Sequence, residues 1–162
     1  TLISVVEELR EEVQYLKLVI IGSGPDKQKL ENIVSKRNLF KNVLITGAMD
    51  RENLFKNIVA GDLFVLNTGY EGFSHQLLEV LALGTPIITT NIGGNPEIIK
   101  NEENGLLVEY DDKEGIKKAI LKILKDKEMA CRLVENGKKT VAEYTIDRMI
   151  TDLVMELKTI WK

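Results

Sequence analysis

Cysteine and histidine are nearly absent from this 162-residue chain, with Cys131 and His75 the only ones. One cysteine excludes an intramolecular disulfide framework and any thiol-rich metal site. One histidine removes most His-based zinc sites and leaves one candidate for any His-based catalysis. Three prolines and twelve glycines are too few for collagen-like or low-complexity sequence. No apolar run approaches the roughly 20 residues of a membrane-spanning helix. Neither sign of charge dominates: 22 Lys and Arg stand against 25 Asp and Glu, a net charge of −3. That balance offers no long-range attraction for nucleic acid. An initiator methionine and a signal-peptide pattern are both lacking. The chain opens within what reads as a helix, so a fragment of a longer protein is expected.

What is present describes one globular domain over residues 1–162. The chain is 44% hydrophobic and 29% charged, and a chain near this length buries roughly 70% of its unfolded surface. Short β-rich runs alternate with amphipathic ones. Leu2, Val5, Val6 and Leu9 recur at helical spacing. KLVIIG follows, a continuous apolar run suited to a strand buried on both faces, and then a GSGP turn. Pro25 suits the first position of a helix running to about Arg37. NVLITG reads as a second strand, and Asp50 as the cap of a helix over 51–59. DLFVLN is a third strand. Ser74 opens a helix ended by Gly84. PIITT is a fourth strand, Asn95–Pro96 start a short helix, and NGLLV is a fifth strand. From Asp112 the pattern is helical, with breaks expected near Asp126, at Asn136–Gly137 and at Tyr144–Thr145.

This alternation implies an α/β fold: a Rossmann-like parallel sheet with helices on both faces. The strand that normally precedes the first helix of such a fold is missing. In an open parallel sheet ligands bind beyond the carboxyl ends of the strands, so the loops there are the candidate site. Between Gly72 and Pro96 the one charged residue is Glu79, set among Leu77, Leu78, Val80, Leu81, Ala82 and Leu83 on a helix read as buried. A lone carboxylate in such surroundings is costly unless satisfied. The paired hydroxyls of a ribose would satisfy it, and so would a Lys, Arg or backbone N–H from elsewhere in the chain. The start of the same helix, with the N–H groups of Ser74, His75 and Gln76 free, favours an anion. Gly72 permits close approach to the backbone. Glu71 precedes it, where the far end of a ligand would lie. Carboxylate, anion-accepting helix start and second carboxylate match the order of groups in a nucleotide diphosphate sugar.

Three residues invite less. His75 reads equally as an ordinary helix-start histidine, Cys131 reads as a packing residue on a late helix, and DDKEGIKK reads as a solvated helix face.

The run EGFSHQLLEVLALGTPIITTNIGGNPEII, with NGLLV behind it, resembles the C-terminal domain of retaining glycosyltransferases of family 4, which have the GT-B fold. KLVIIGSGPDKQKLE and KNVLITGAMDRENLFKNIVAGDLFVLNTGYEGF follow the same pattern, so the resemblance runs from about Leu18 to Glu114. Two glutamates separated by seven residues bracket the donor site in that family, and Glu71 and Glu79 fit. The resemblance implies that Glu71 contacts the donor sugar as the catalytic glutamate, and that Gly72, Phe73 and Ser74 line sugar and diphosphate with His75 beside them. It implies that Glu79 takes the ribose with Leu78 packing nearby, and that Gly47, Ala48 and Met49 read the base. Gly22 and Gly24 lie in a neighbouring loop.

The activity implied is hexosyl transfer from a UDP- or GDP-sugar to a glycan or lipid-linked acceptor, with retention and without metal or other cofactor, in polysaccharide biosynthesis. The partners implied are the nucleotide-sugar donor and an N-terminal acceptor-binding domain absent here. The localisation implied is cytoplasmic, with room for peripheral membrane association of the full-length protein. The basic pair that the family places after its first strand is lacking, and no Lys or Arg occurs from Asn57 to Ile99. The isolated chain is therefore expected to be inactive. The competing readings are a GT-B sugar-nucleotide epimerase and a non-catalytic nucleotide-binding or interaction module. The final stripe of Leu153, Leu157, Ile160 and Trp161 is expected to pack on this domain or on the absent one.

Overall fold

The computed structural model describes residues 1–160, so the expectation for Trp161 falls outside the described residues. Element order follows the sequence reading: α1 (Leu2–Leu9), β1 (Leu18–Ile21), α2 (Lys27–Lys36), β2 (Val43–Gly47), α3 (Arg51–Ala60), β3 (Phe64–Leu66), α4 (His75–Leu83), β4 (Ile87–Thr90), α5 (Asn95–Ile98), β5 (Leu106–Val108), α6 (Lys113–Lys125), α7 (Lys127–Glu143) and α8 (Ile146–Ile160). Local chemistry explains most of the boundaries. Asp50, Asp112 and Asp126 accept the backbone N–H of Asn53, Gly115 and Met129 and so cap α3, α6 and α7, each cap being worth about 1 kcal/mol. Gly84 ends α4 at φ 79°, a left-handed conformation that favours glycine.

Every strand pair is parallel, but the strands form two ladders. One is β1–β2, with Leu18 opposite Val43 and Ile20 opposite Ile45. The other is β3–β4–β5, with Ile88 between Val65 and Leu106. Among the described residues β1 and β3 share no ladder. Helices cover both faces of the larger sheet, as the alternation of side chains requires. Val65, Ile88, Leu106 and Val108 pack with α1, α6 and α7. Phe64, Leu66, Ile87 and Leu107 pack with α3, α4 and α5. Helix α1 straddles the two ladders, Val5 and Leu9 joining the larger sheet and Ile3 and Val6 joining β1, β2 and α2.

Several sequence expectations differ from the structure. The KLVIIG strand is not buried on both faces: Val19 is 41% exposed and its register partner Leu44 is 59% exposed, because no element among the described residues covers that side of the β1–β2 ladder. Helix α7 does not break at Asn136–Gly137. Gly137 is buried against α4, and a Cβ there would sit 2.7 Å from Leu81 Cδ2, so the glycine serves helix–helix approach. Cys131 is exposed, while the inward face of α7 carries Met129, Leu133 and Gly137. Pro25 lies two residues ahead of α2, and Gly94 rather than Asn95 occupies the cap position of α5. Of the two placements expected for the final helical stripe, the one on this domain is excluded, since no residue of α8 is buried.

Candidate functional site

The candidate site residues lie on the loops at the carboxyl ends of the strands and on α4, in two neighbouring stretches, with Gly22 and Gly24 in the loop after β1. The first follows β2. Gly47 is buried at φ 79°, and its carbonyl accepts the Gly22 N–H at 2.9 Å, which ties the loops after β1 and β2 together. Ala48 is exposed and Met49 half-buried. Asp50 then turns the chain into α3, its carboxyl held below the usual range by the Asn53 backbone N–H and side-chain amide. The second stretch runs from the end of β3 into α4. Glu71 is half-buried, Gly72 and Phe73 are exposed, and Ser74 is buried.

Ser74 occupies the cap position of α4, but its side chain makes no capping bond. Among the described residues the N–H groups of Ser74, His75 and Gln76 have no carbonyl partner. The start of the helix thus presents open donors and the positive end of its dipole. His75 is exposed, as the plainer reading of it requires, and its ring meets the Phe73 ring edge-on at 5.6 Å between centroids. On its other side Phe73 packs against Tyr144 at the end of α7, at 5.7 Å.

Glu79 lies one turn into α4 and is not solitary. Arg51 Nη2 donates to Glu79 Oε1 at 2.6 Å. The carboxylate is 34% exposed and the guanidinium 74%, and Arg51 also stacks over Phe55 at 5.0 Å. The buried, unpaired glutamate expected from the apolar run is therefore corrected. Leu77, Val80 and Leu81 face the core, while the side of α4 bearing Glu79 meets the first residue of α3. Leu78 beside it is half-buried. An exposed ion pair of this kind contributes about 0–1 kcal/mol, so a ligand can displace it at little cost. The pair also marks where the two stretches meet. Arg51 follows the loop after β2 directly, and its contact with Glu79 brings that loop beside α4 at the sheet's carboxyl edge.

Arg51 escaped the sequence reading because it lies outside the cation-free span from Asn57 to Ile99. Its position straight after a capping aspartate at the carboxyl end of a strand was the available signal. Lys27 is a second cation on this rim, its ammonium 3.5 Å from where a Gly47 Cβ would stand. Two other surfaces are distinct from this crevice. A groove of about 520 Å³ runs between β5 and α6 past Asn101, Lys118 and Lys122, and an apolar patch lies on the outer face of α3 around Phe55 and Val59. Among the described residues no group of three His, Cys, Asp or Glu side chains is placed to hold a metal ion. No described helix is long and apolar enough to cross a membrane.

A parallel α/β layer with helices on both faces, its loops gathered at the carboxyl edge, defines a Rossmann-like class of domain. Residues 1–140 match the family model of glycosyl transferases group 1. The chain is 32% identical over 127 residues to an N-acetyl-alpha-D-glucosaminyl L-malate synthase of Bacillus anthracis, covering 78% of this chain and 33% of that enzyme. It is 26% identical over 161 residues to a GDP-mannose-dependent alpha-(1-6)-phosphatidylinositol monomannoside mannosyltransferase of Mycobacterium tuberculosis, covering 94% and 42%. Its fold superposes on the crystal structure of the C-terminal domain of a group 1 glycosyl transferase, LpcC of Francisella tularensis, with a TM-score of 0.79 and 28% identity, covering 90% and 78%. The chain belongs to the group 1 glycosyl transferases and has the Rossmann-like architecture of a GT-B domain. It spans well under half the length of the curated relatives it matches.

Proposed function

We propose that this chain is the donor-nucleotide half of a longer, retaining glycosyltransferase that moves a hexosyl group from a UDP- or GDP-sugar to a glycan or lipid-linked acceptor. The observation that carries the reading is the shared edge of the sheet where Glu71, the open start of α4 and Glu79 follow one another, with the Gly47–Met49 loop beside them through Arg51. In this reading Glu71 receives the donor sugar's hydroxyls. The N–H groups at the start of α4, with Gly72, Phe73 and His75, receive the diphosphate. Glu79 takes the ribose hydroxyls next to Leu78, and the backbone of Gly47, Ala48 and Met49 meets the base.

Transfer requires the bond between the anomeric carbon and the diphosphate oxygen to break, with the electron pair leaving on the nucleoside diphosphate. Donors fixed in advance around that charge are the largest contribution a protein can make to such a step. Helix-start amides supply them here, with Arg51 and Lys27 adding positive charge on the same rim. No metal or other cofactor is assigned a role. The unpaired edges of β1 and β3, and α1 lying across both ladders, support a domain completed by further polypeptide that also supplies the acceptor surface. By itself the chain then binds nucleotide weakly and does not turn over.

Glu79→Gln in the full-length enzyme tests the assignment. Loss of a charge-assisted hydrogen bond predicts nucleotide binding weakened about 10- to 100-fold, read by calorimetry with UDP and GDP. An unchanged affinity removes Glu79 from the ribose site. Glu71→Gln is expected to depress turnover more than nucleotide affinity.

A further inference from the structure

The Glu71 loop is held by residues on the far side of the crevice. Thr89 and Thr90, both buried, end β4. Thr89 Oγ1 donates to the Leu66 carbonyl at 3.1 Å, and Thr90 Oγ1 donates to the Thr68 carbonyl at 2.8 Å. Asn95, fully buried at the start of α5, donates Nδ2 to both the carbonyl and the hydroxyl oxygen of Thr90 at 3.2 Å. Thr68 Oγ1 donates in turn to the Tyr70 carbonyl at 2.7 Å. The Gly94 N–H donates to the Glu71 carbonyl at 3.3 Å. At Gly93 and Gly94 the backbones approach so closely that a Cβ on either would fall on the carbonyl oxygen of Glu71 or Gly72.

We infer that Thr90 and Asn95 are positioning residues that fix the Thr68–Gly72 loop, and with it Glu71, against the β4–α5 turn. The inference rests on the donor-site reading of Glu71 and deepens it. Asn95 Oδ1 is buried without a hydrogen-bond partner, alone in this among the described side chains. An unpaired buried acceptor is destabilising, and a leucine of similar shape would remove it. Departures from local rules of this kind concentrate at functional sites, and here the amide's other end carries the tie to Thr90.

The test uses Thr90→Val, Thr90→Ser and Asn95→Leu. In the full-length enzyme T90V and N95L are expected to lower kcat about tenfold or more, because small displacements of a reacting geometry are costly. Nucleotide affinity falls by a smaller factor than kcat, since the contacts of Glu79 and of the Gly47–Met49 loop are untouched. T90S keeps the hydroxyl and restores turnover. Normal turnover in T90V and N95L, a parallel loss of kcat and nucleotide affinity, or a T90S defect as deep as that of T90V would each overturn the inference. A readout without activity is amide hydrogen exchange at residues 69–73 of the 162-residue chain, which speeds up in T90V and N95L but not in T90S. Unaltered exchange there overturns the positioning role whatever nucleotide does. Faster exchange in a full-length protein that binds neither UDP nor GDP supports the tie and sinks the donor reading instead.

Discussion

At Gly93 and Gly94 a single methyl group decides whether the loop bearing Glu71 can close onto the β4–α5 turn. Both positions face backbone carbonyls rather than pliable side-chain ends, and Gly93 also has φ 56°. Gly94→Ala is expected to cost about 1–3 kcal/mol as an overpacked site that must shift its neighbours, measured by urea denaturation. Gly24→Ala, with nothing within 4 Å and no positive φ, is the control and stays near the wild type. Equal stability of the two variants would mean that the loop is not pressed against the turn. Arg51 illustrates the opposite regime. Its contact with Glu79 is short but largely solvated, so Arg51→Ala is expected to change folding stability by less than about 1 kcal/mol. Glu71 and Glu79 could be singled out in the sequence because both lie on one local loop-helix unit. Arg51 could not be matched to Glu79, because that pairing spans 28 residues and depends on how α3 and α4 pack.

Among the elements, α1 has the greatest structural leverage for its length. Eight residues long, it joins two hydrophobic clusters and is ringed by ion pairs: Glu7 with Arg37 at the end of α2, Glu8 with Lys113 and Lys117 on α6, and Glu12, just beyond its end, with Lys125. Leu9→Ala, at a fully buried position, is expected to cost about 2–5 kcal/mol, whereas exposed positions of α2 tolerate alanine. The lysines of α6 hold the Glu8 carboxyl below its ordinary value of 4.5. Lowering the folded pKa means that this contribution is complete above 4.5 and is lost as pH falls through the folded value. Glu8 in turn raises Lys117 above 10.5, a contribution present below that value and lost as pH climbs through the folded one. Amide protection of α1 should therefore fall in acid below pH 4.5 and again in strong base. A shallower acid limb in Glu8→Gln than in the wild type would identify the group, the remainder coming from Glu12, which Lys125 also holds low. The existence of α1 was legible from Leu2, Val5, Val6 and Leu9. Its two-sided burial was not, because Val5 and Val6 serve different clusters although both read simply as apolar.

For the whole molecule, the two ladders and the free-standing α8 distinguish this chain from a closed sheet. Ile146, Met149, Ile150, Leu153 and Leu157 are all exposed, so Ile150→Ser with Leu153→Ser is expected to leave stability within about 0.5 kcal/mol, as substitutions away from packed features do. A clear drop in melting temperature would mean that α8 packs on the domain. The sequence by itself determined the order and type of the elements, the caps at Asp50 and Gly84, and the run from Glu71 to Glu79 as one loop-helix unit. Those depend on neighbours within a few residues, where periodicity and turn chemistry act directly. Tertiary structure alone decided that β1 stays half-open, that Gly137 admits Leu81, that Arg51 meets Glu79 and that Asn95 reaches Thr90 beside the Glu71 loop. Each of these is a contact between elements, and no pattern along the chain encodes the distance between surfaces that only packing brings together.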